Sequence, residues 1–312
     1  MSQPLALTAT LDRPARLVGQ EPREPVYVLA RLDPGEAVQR PRLEIACLLD
    51  ASASMYQFRL APEEREHWLA IARQRGDVRH TTADGREAFA WTGATLQELQ
   101  HKVSTPMLSA VRGLWRGIQA LAADDAIAVV AFTERATLVL DDPGGQPPER
   151  RLAEAKDALA TLGQPLTPAG LEQATRLEEA LQVAATRWAG TAPAGSARRL
   201  LLVSDGVVAD RDACLALAES FPERQIVASV IGVGEEFDEE FLMRLADLTR
   251  GNYHYAATAL DLERALAEEL AEMTRVVVRH ARVRVELAGG TLLRTLHQVT
   301  PAVAEFPLMW VE

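Results

Sequence analysis

The segment CLLDASASMYQF (residues 47–58) ends an apolar run on Asp50 and then places hydroxyls at Ser52 and Ser54. Three oxygen-bearing side chains at every second position can form a turn, a nucleophile site, or one wall of a cage for a hard cation. Residues elsewhere in the chain bear on that choice. LLLVSDG puts Asp205 at the end of a second apolar run, directly before Gly206, and EQATRLEEAL puts Thr175 at the start of a helical pattern. In an open parallel sheet, ligands bind beyond the carboxyl ends of the strands, so the two aspartates and Thr175 would share one edge although far apart in the chain. Two carboxylates and three hydroxyls form an all-oxygen set that suits an octahedral cation, Mg²⁺ ahead of Mn²⁺ or Ca²⁺. With no His or Cys among the five, zinc is disfavoured.

The elements that must position these side chains are legible as alternating strands and helices. Near-continuous apolar runs at 43–50, 126–132, 199–204 and 225–232, with a shorter one at 252–256, read as parallel strands covered on both faces. Helical patterns fall at 106–122, 149–161, 174–188, 211–220, 238–248 and 260–273, and 136–140 reads as an antiparallel edge strand. This alternation predicts an α/β fold with a doubly wound, mainly parallel sheet. The chain ends differ. Short strands at 5–12 and 26–32 precede the first helix, and strands at 276–288, 291–299 and 305–311 follow the last. They predict a small β-sandwich built from both ends, with the α/β unit inserted: residues 1–41, then 42–274, then 275–312. The ending FPLMWVE, which lacks a polar tail, reads as a break within that sandwich.

Between about residues 56 and 105 a long insert interrupts the first strand-to-helix connection. It holds a charged helical piece (61–76) and a stretch with a Gly-containing turn (77–93), and Trp68, Phe89 and Trp91 argue that it is ordered. Because it leaves the chain just after Ser54, it is expected either to cap the oxygen cluster or to be a surface elaboration packed on Trp68 and Trp91.

Composition narrows the function classes. A hydrophobic content of 48% suits a globular core, and a net charge of −11 argues against a general nucleic-acid binder. No apolar stretch is long enough for a membrane span, and the N-terminus lacks the pattern of a signal peptide. Cys47 in a strand and Cys214 in a helix read as buried thiols in a reducing compartment, so a cytoplasmic location is expected. In RVVVRHARVRV (275–285), His280, Arg282 and Arg284 share one strand face, read as solvated. GVGEEF (232–237) lacks the third glycine of a dinucleotide loop and reads as a strand-to-helix turn.

DASAS, Thr175 and the strand-ending SDG together resemble the metal-ion-dependent adhesion site (MIDAS) of the von Willebrand factor A (VWA) family, over roughly residues 42–272. The flanking strands resemble bacterial stand-alone VWA proteins that carry a β-sandwich. The resemblance implies that Ser52, Ser54 and Thr175 coordinate Mg²⁺ directly or nearly so, with Asp50 and Asp205 acting directly or through water. It implies a protein-binding module, not an enzyme, whose metal is completed by a carboxylate of a partner protein, often beside an ATPase. No nucleic acid and no membrane is expected as partner. Two departures stand out: Ala53 replaces the family's usual Gly between the serines, and LEQAT replaces its Gly-rich approach to the threonine. The second leaves Thr167 as a rival to Thr175, which TRLEEAL favours. The competing classes are an Mg²⁺-dependent phosphatase with Asp50 as nucleophile, weakened by Ser52 standing where a second acid is wanted, and a scaffold with a vestigial metal site.

Overall fold

The computed structural model describes residues 6–11, 27–33, 40–58, 60, 62–83, 86–163, 175–188, 192–193, 195–206, 208–234, 237–275, 295, 297–298 and 304–305. In chain order these form β1 (Ala6–Leu11), β2 (Val28–Asp33), β3 (Arg42–Asp50), α1 (Pro62–Arg75), β4 (Val78–Ala83), β5 (Arg86–Trp91), α2 (Gly93–Lys102), α3 (Pro106–Gln119), β6 (Ala126–Phe132) and β7 (Ala136–Asp142). Then come α4 (Pro148–Ala160), α5 (Glu178–Arg187), β8 (Ser196–Ser204), α6 (Arg211–Ala218), β9 (Ile226–Val233), α7 (Glu239–Thr249), β10 (Tyr253–Ala256), α8 (Ala259–Thr274), β11 (His297–Gln298) and β12 (Ala304–Glu305).

The central sheet runs β10-β9-β8-β3-β6-β7 and is parallel except for β7, which pairs antiparallel with β6 at one edge. The predicted doubly wound fold is therefore present, including the antiparallel edge strand. Strand periodicity explains its two cores. Ile45, Cys47 and Leu49 of β3 join Val129, Leu201 and Ile231 against α3, α4 and α8. Ala46 and Leu48 join Val130, Leu200, Leu202 and Val230 against α5, α6 and α7. A strand with both faces covered has no polar alternation, and its pattern becomes a solid apolar run.

α3 and α8 pack on each other at close range. A Cβ on Gly113 of α3 would stand 2.7 Å from Leu266 Cβ, and one on Gly117 would stand 2.1 Å from Leu270 Cδ1. Only the bare backbone lets α3 and α8 pack this closely. α3 starts where the sequence predicts because Thr105 caps it, its hydroxyl accepting the Leu108 N–H at 3.2 Å, with Pro106 opening the first turn.

α5 begins later than its pattern suggests, at Glu178 rather than residue 174. The preceding residues are tied across the fold: Thr175 bridges Val208 in parallel, and the Arg176 N–H donates to the Thr133 carbonyl at 2.8 Å. Backbone groups engaged in this way are unavailable for a further helical turn.

The described part of the insert has its own small core. α1, the antiparallel pair β4–β5 and α2 pack on one another, with Trp68, Leu69, Ala72 and Leu99 buried. Lys102 Nζ lies 5.2 Å above the Trp68 ring. Asp77 closes the unit, its Oδ2 accepting from both the N–H (2.9 Å) and the hydroxyl (3.0 Å) of Thr95 in α2. The helix α2 is a feature that the sequence reading did not foresee.

At the chain ends, β1 and β2 pair antiparallel, and β11 pairs with β12 as a separate two-stranded sheet. The predicted basic strand at 276–288 and most of the rest of the C-terminal strand set lie outside the described residues. Cys47 and Cys214 are both free and buried.

Candidate metal centre

The register of the sheet brings the predicted oxygens together. Leu49 of β3 is level with Val203 of β8, so Asp50 and Ser204 emerge side by side at the carboxyl edge, followed by Ser52 and Asp205. The Ser204 hydroxyl donates to Asp50 Oδ2 at 2.7 Å, and the Ser52 N–H donates to Asp50 Oδ1 at 3.0 Å. Ser54 Oγ donates to Asp205 Oδ1 at 2.8 Å. Ser52 Oγ lies 3.0 Å from Ser54 Oγ and 3.5 Å from Asp205 Oδ1. Four of the five predicted residues thus form one cluster.

Two of its members are costly to hold together. Asp50 is fully buried and Asp205 is 3% exposed. Burial, and then the neighbouring charge of Asp205, push the Asp50 carboxyl up to about 6, against the pull of its hydrogen bonds from Ser204 and Ser52. Among the described residues Asp50 is met by neutral donors, the Ser204 hydroxyl and the Ser52 amide. A divalent ion would add a positive charge beside it, and the spacing suits one. Neighbouring oxygens of an octahedron with bonds of ~2.1 Å lie about 3 Å apart, close to the spacings among Ser52, Ser54 and Asp205. Among the described residues no three of His, Cys, Asp and Glu gather as a metal cluster, so the site here rests on two carboxylates and hydroxyls.

The turn carrying the serines is a short 3₁₀ segment, Ala53–Tyr56. Ala53 is not among the described non-glycine residues with positive φ, so the replacement of glycine imposes no backbone strain. Thr175 reaches the same edge by a different route. It stands outside the helix rather than opening it, with its carbonyl accepting the Ala209 N–H at 2.9 Å. Its hydroxyl makes no hydrogen bond among the described residues. The rival Thr167 lies outside those residues.

Sequence reasoning missed Ser204, which stood in plain view within the SDG motif as a hydroxyl at the last position of a buried strand.

The profile of the von Willebrand factor type A domain matches residues 99–255. The chain belongs to the VWA family. A solved von Willebrand factor type A protein from Catenulispora acidiphila shares the fold, with TM-score 0.55 and 16% identity over 90% of this chain and 52% of its own. The uncharacterized protein YfbK of Escherichia coli is 27% identical over 97 residues, which is 30% of this chain and 17% of that protein. A zinc-occupied MIDAS motif is recorded for proximal thread matrix protein 1 of the mussel byssus, 15% identical over 74% of this chain and 45% of its own, with TM-score 0.47. This VWA chain therefore spans about half, or less, of each of these three proteins.

Proposed function

We propose that this VWA protein is a metal-dependent protein-binding module, in which Asp50, Ser52, Ser54, Thr175 and Asp205 hold Mg²⁺ and a partner protein completes the coordination with a carboxylate. The observation that carries the reading is the cluster of Ser52, Ser54 and Asp205 oxygens at octahedral spacing beside the fully buried Asp50. Bound there, the ion would add positive charge beside Asp50 and Asp205 and a Lewis-acidic position for an anionic ligand. The serine hydroxyls are neutral donors, so they leave the ion's charge to be shared with the incoming carboxylate. Asp50 is held by Ser204 and by the Ser52 amide, which fixes its oxygens before any ion arrives.

The same geometry favours binding over catalysis. Ser52 and Ser54 are hydrogen-bonded to each other and to Asp205, and among the described residues no histidine or lysine hydrogen-bonds either hydroxyl. The net charge of −11 speaks against a nucleic-acid partner, and the two free buried thiols suit a reducing cytoplasm. No helix among the described residues is long and apolar enough to cross a membrane. The insert α1–β4–β5–α2 leaves the fold from the residues just after Ser54, so it is placed to shape which partner docks, and an ATPase-associated complex is the assembly this reading favours.

Calorimetric titration of Mg²⁺, Mn²⁺ and Zn²⁺ into the metal-free chain, with and without acetate as a carboxylate mimic, tests the proposal. Binding that disappears in an Asp50→Ala, Ser52→Ala double variant is the expected result. No uptake of any of the three ions in either medium would overturn it.

A further inference from the structure

We infer that Asp210 is a positioning residue of the metal centre, whose carboxylate locks the loop bearing Thr175 onto the loop that follows Asp205. This inference rests on the metal-dependent function proposed above. Asp210 occupies the N-cap position of α6, where an aspartate ordinarily accepts amides of its own helix, yet it makes no such bond. Its carboxylate turns across to α5. Oδ1 accepts the Leu177 N–H at 3.0 Å and Oδ2 accepts the Glu178 N–H at 3.0 Å. The local residue at the start of α5 is Leu177, which has no side chain able to cap, so two otherwise orphaned amides depend on a residue more than thirty positions away.

The bond to Asp210 is one end of a continuous seam. The parallel bridge of Thr175 with Val208 and the Ala209 N–H bond to the Thr175 carbonyl join the same two loops. On the other side, the Arg176 N–H bond to Thr133 ties the loop to the end of β6. Asp205 and Thr175 thus sit at the two sides of one stapled unit, and the Thr175 hydroxyl, which makes no hydrogen bond among the described residues, takes its position from it. A small error in that position matters, because Mg²⁺ tolerates little departure from octahedral geometry.

If Asp210 only capped α5, its loss would lower the melting temperature and leave metal affinity unchanged in the folded protein. If it positions Thr175, affinity falls in molecules that remain folded. The test compares the wild-type chain with Asp210→Ala, Asp210→Asn and Asp212→Ala, the last an exposed acid in the first turn of the same helix. Mg²⁺ and Mn²⁺ are titrated well below each variant's melting temperature, with far-UV circular dichroism to verify the fold. Asp210→Ala is expected to weaken Mg²⁺ binding tenfold or more and Asp210→Asn, which keeps one acceptor, less, while Asp212→Ala matches wild type. Wild-type affinity in a folded Asp210→Ala overturns the inference and leaves the proposed function standing. Should Asp210→Ala fail to fold, wild-type affinity in Asp210→Asn overturns it equally. Absence of metal binding in the wild type overturns the proposed function, and this inference with it.

Discussion

The two ends of the central sheet each bury a pair of aspartates and treat them in opposite ways. At the amino end, Asp125 accepts both terminal nitrogens of Arg40 (3.0 and 2.7 Å) together with the N–H groups of Leu43 (2.9 Å) and Ala122 (2.8 Å). Asp142 is paired with Arg151, a guanidinium 2% exposed whose remaining donors reach the carbonyls of Ala122, Ala123 and Asp125. At the carboxyl end, Asp50 receives one amide and one hydroxyl, and Asp205 receives serine hydroxyls. A guanidinium brings positive charge and five fixed donors, so it completes a buried carboxylate permanently. Hydroxyls bring geometry without charge. One edge is closed by a guanidinium of the protein itself, and the other is where the proposed cation would bind.

Several measurements would break or sharpen that contrast. The largest effect is expected at the closed edge: Arg151→Met strands a buried carboxylate and should cost about 3–5 kcal/mol in chemical denaturation while leaving metal affinity unchanged. The same amide substitution should then act with opposite sign at the two ends. In metal-free protein at pH 7, Asp142→Asn is expected to destabilise by about 2 kcal/mol, through loss of a charged hydrogen bond to Arg151. Asp50→Asn should instead stabilise by about 1 kcal/mol while abolishing metal binding, because it removes a buried charge at the loss of one accepted hydrogen bond. Equal signs in paired urea melts would refute the contrast.

The pH dependence follows from the raised Asp50 pKa. Its folded value of about 6 lies above the ordinary 3.8, so across that interval the folded chain binds more protons than the unfolded one. Stability of the metal-free protein should therefore fall as pH rises from about 4 to 6, by at most about 3 kcal/mol from this group. Saturating Mg²⁺ should reverse the slope, and subtraction of the Asp50→Asn profile isolates the contribution.

The smallest effect belongs to an intermediate case, Glu269 of α8. It is 4% exposed and accepts from Ser229, while its Oε2 lies 2.7 Å from His254 Nε2 in β10. The His254 pKa is raised, mainly by that bond, and the Glu269 pKa is lowered by its partners despite burial. The histidine's contribution is fully present below about 6.5 and is lost as pH rises through its raised folded value. The glutamate's is present above about 4.5 and is lost as pH falls through its lowered one. Their joint support is thus greatest between those limits, and His254→Gln should cost about 1 kcal/mol there and less at pH 8, as read from denaturation at the two pH values.

The sequence by itself determined the strands of the central sheet and most of the helices around it, because a strand covered on both faces must be apolar throughout and a packed helix must repeat near 3.6 residues. It also determined which oxygens stand at strand ends, since Asp50 and Asp205 each follow an unbroken apolar run. These are local properties of the chain. Only the tertiary structure decided that Ser204 holds Asp50, that α5 starts at Glu178, that Arg151 neutralises Asp142, and that Asp210 caps the amides of α5 rather than those of its own helix. Each of those outcomes depends on strand register or crossover geometry between segments distant in sequence. A carboxylate has the same local pattern whether it will meet a guanidinium, an amide or an ion, and packing alone selects which.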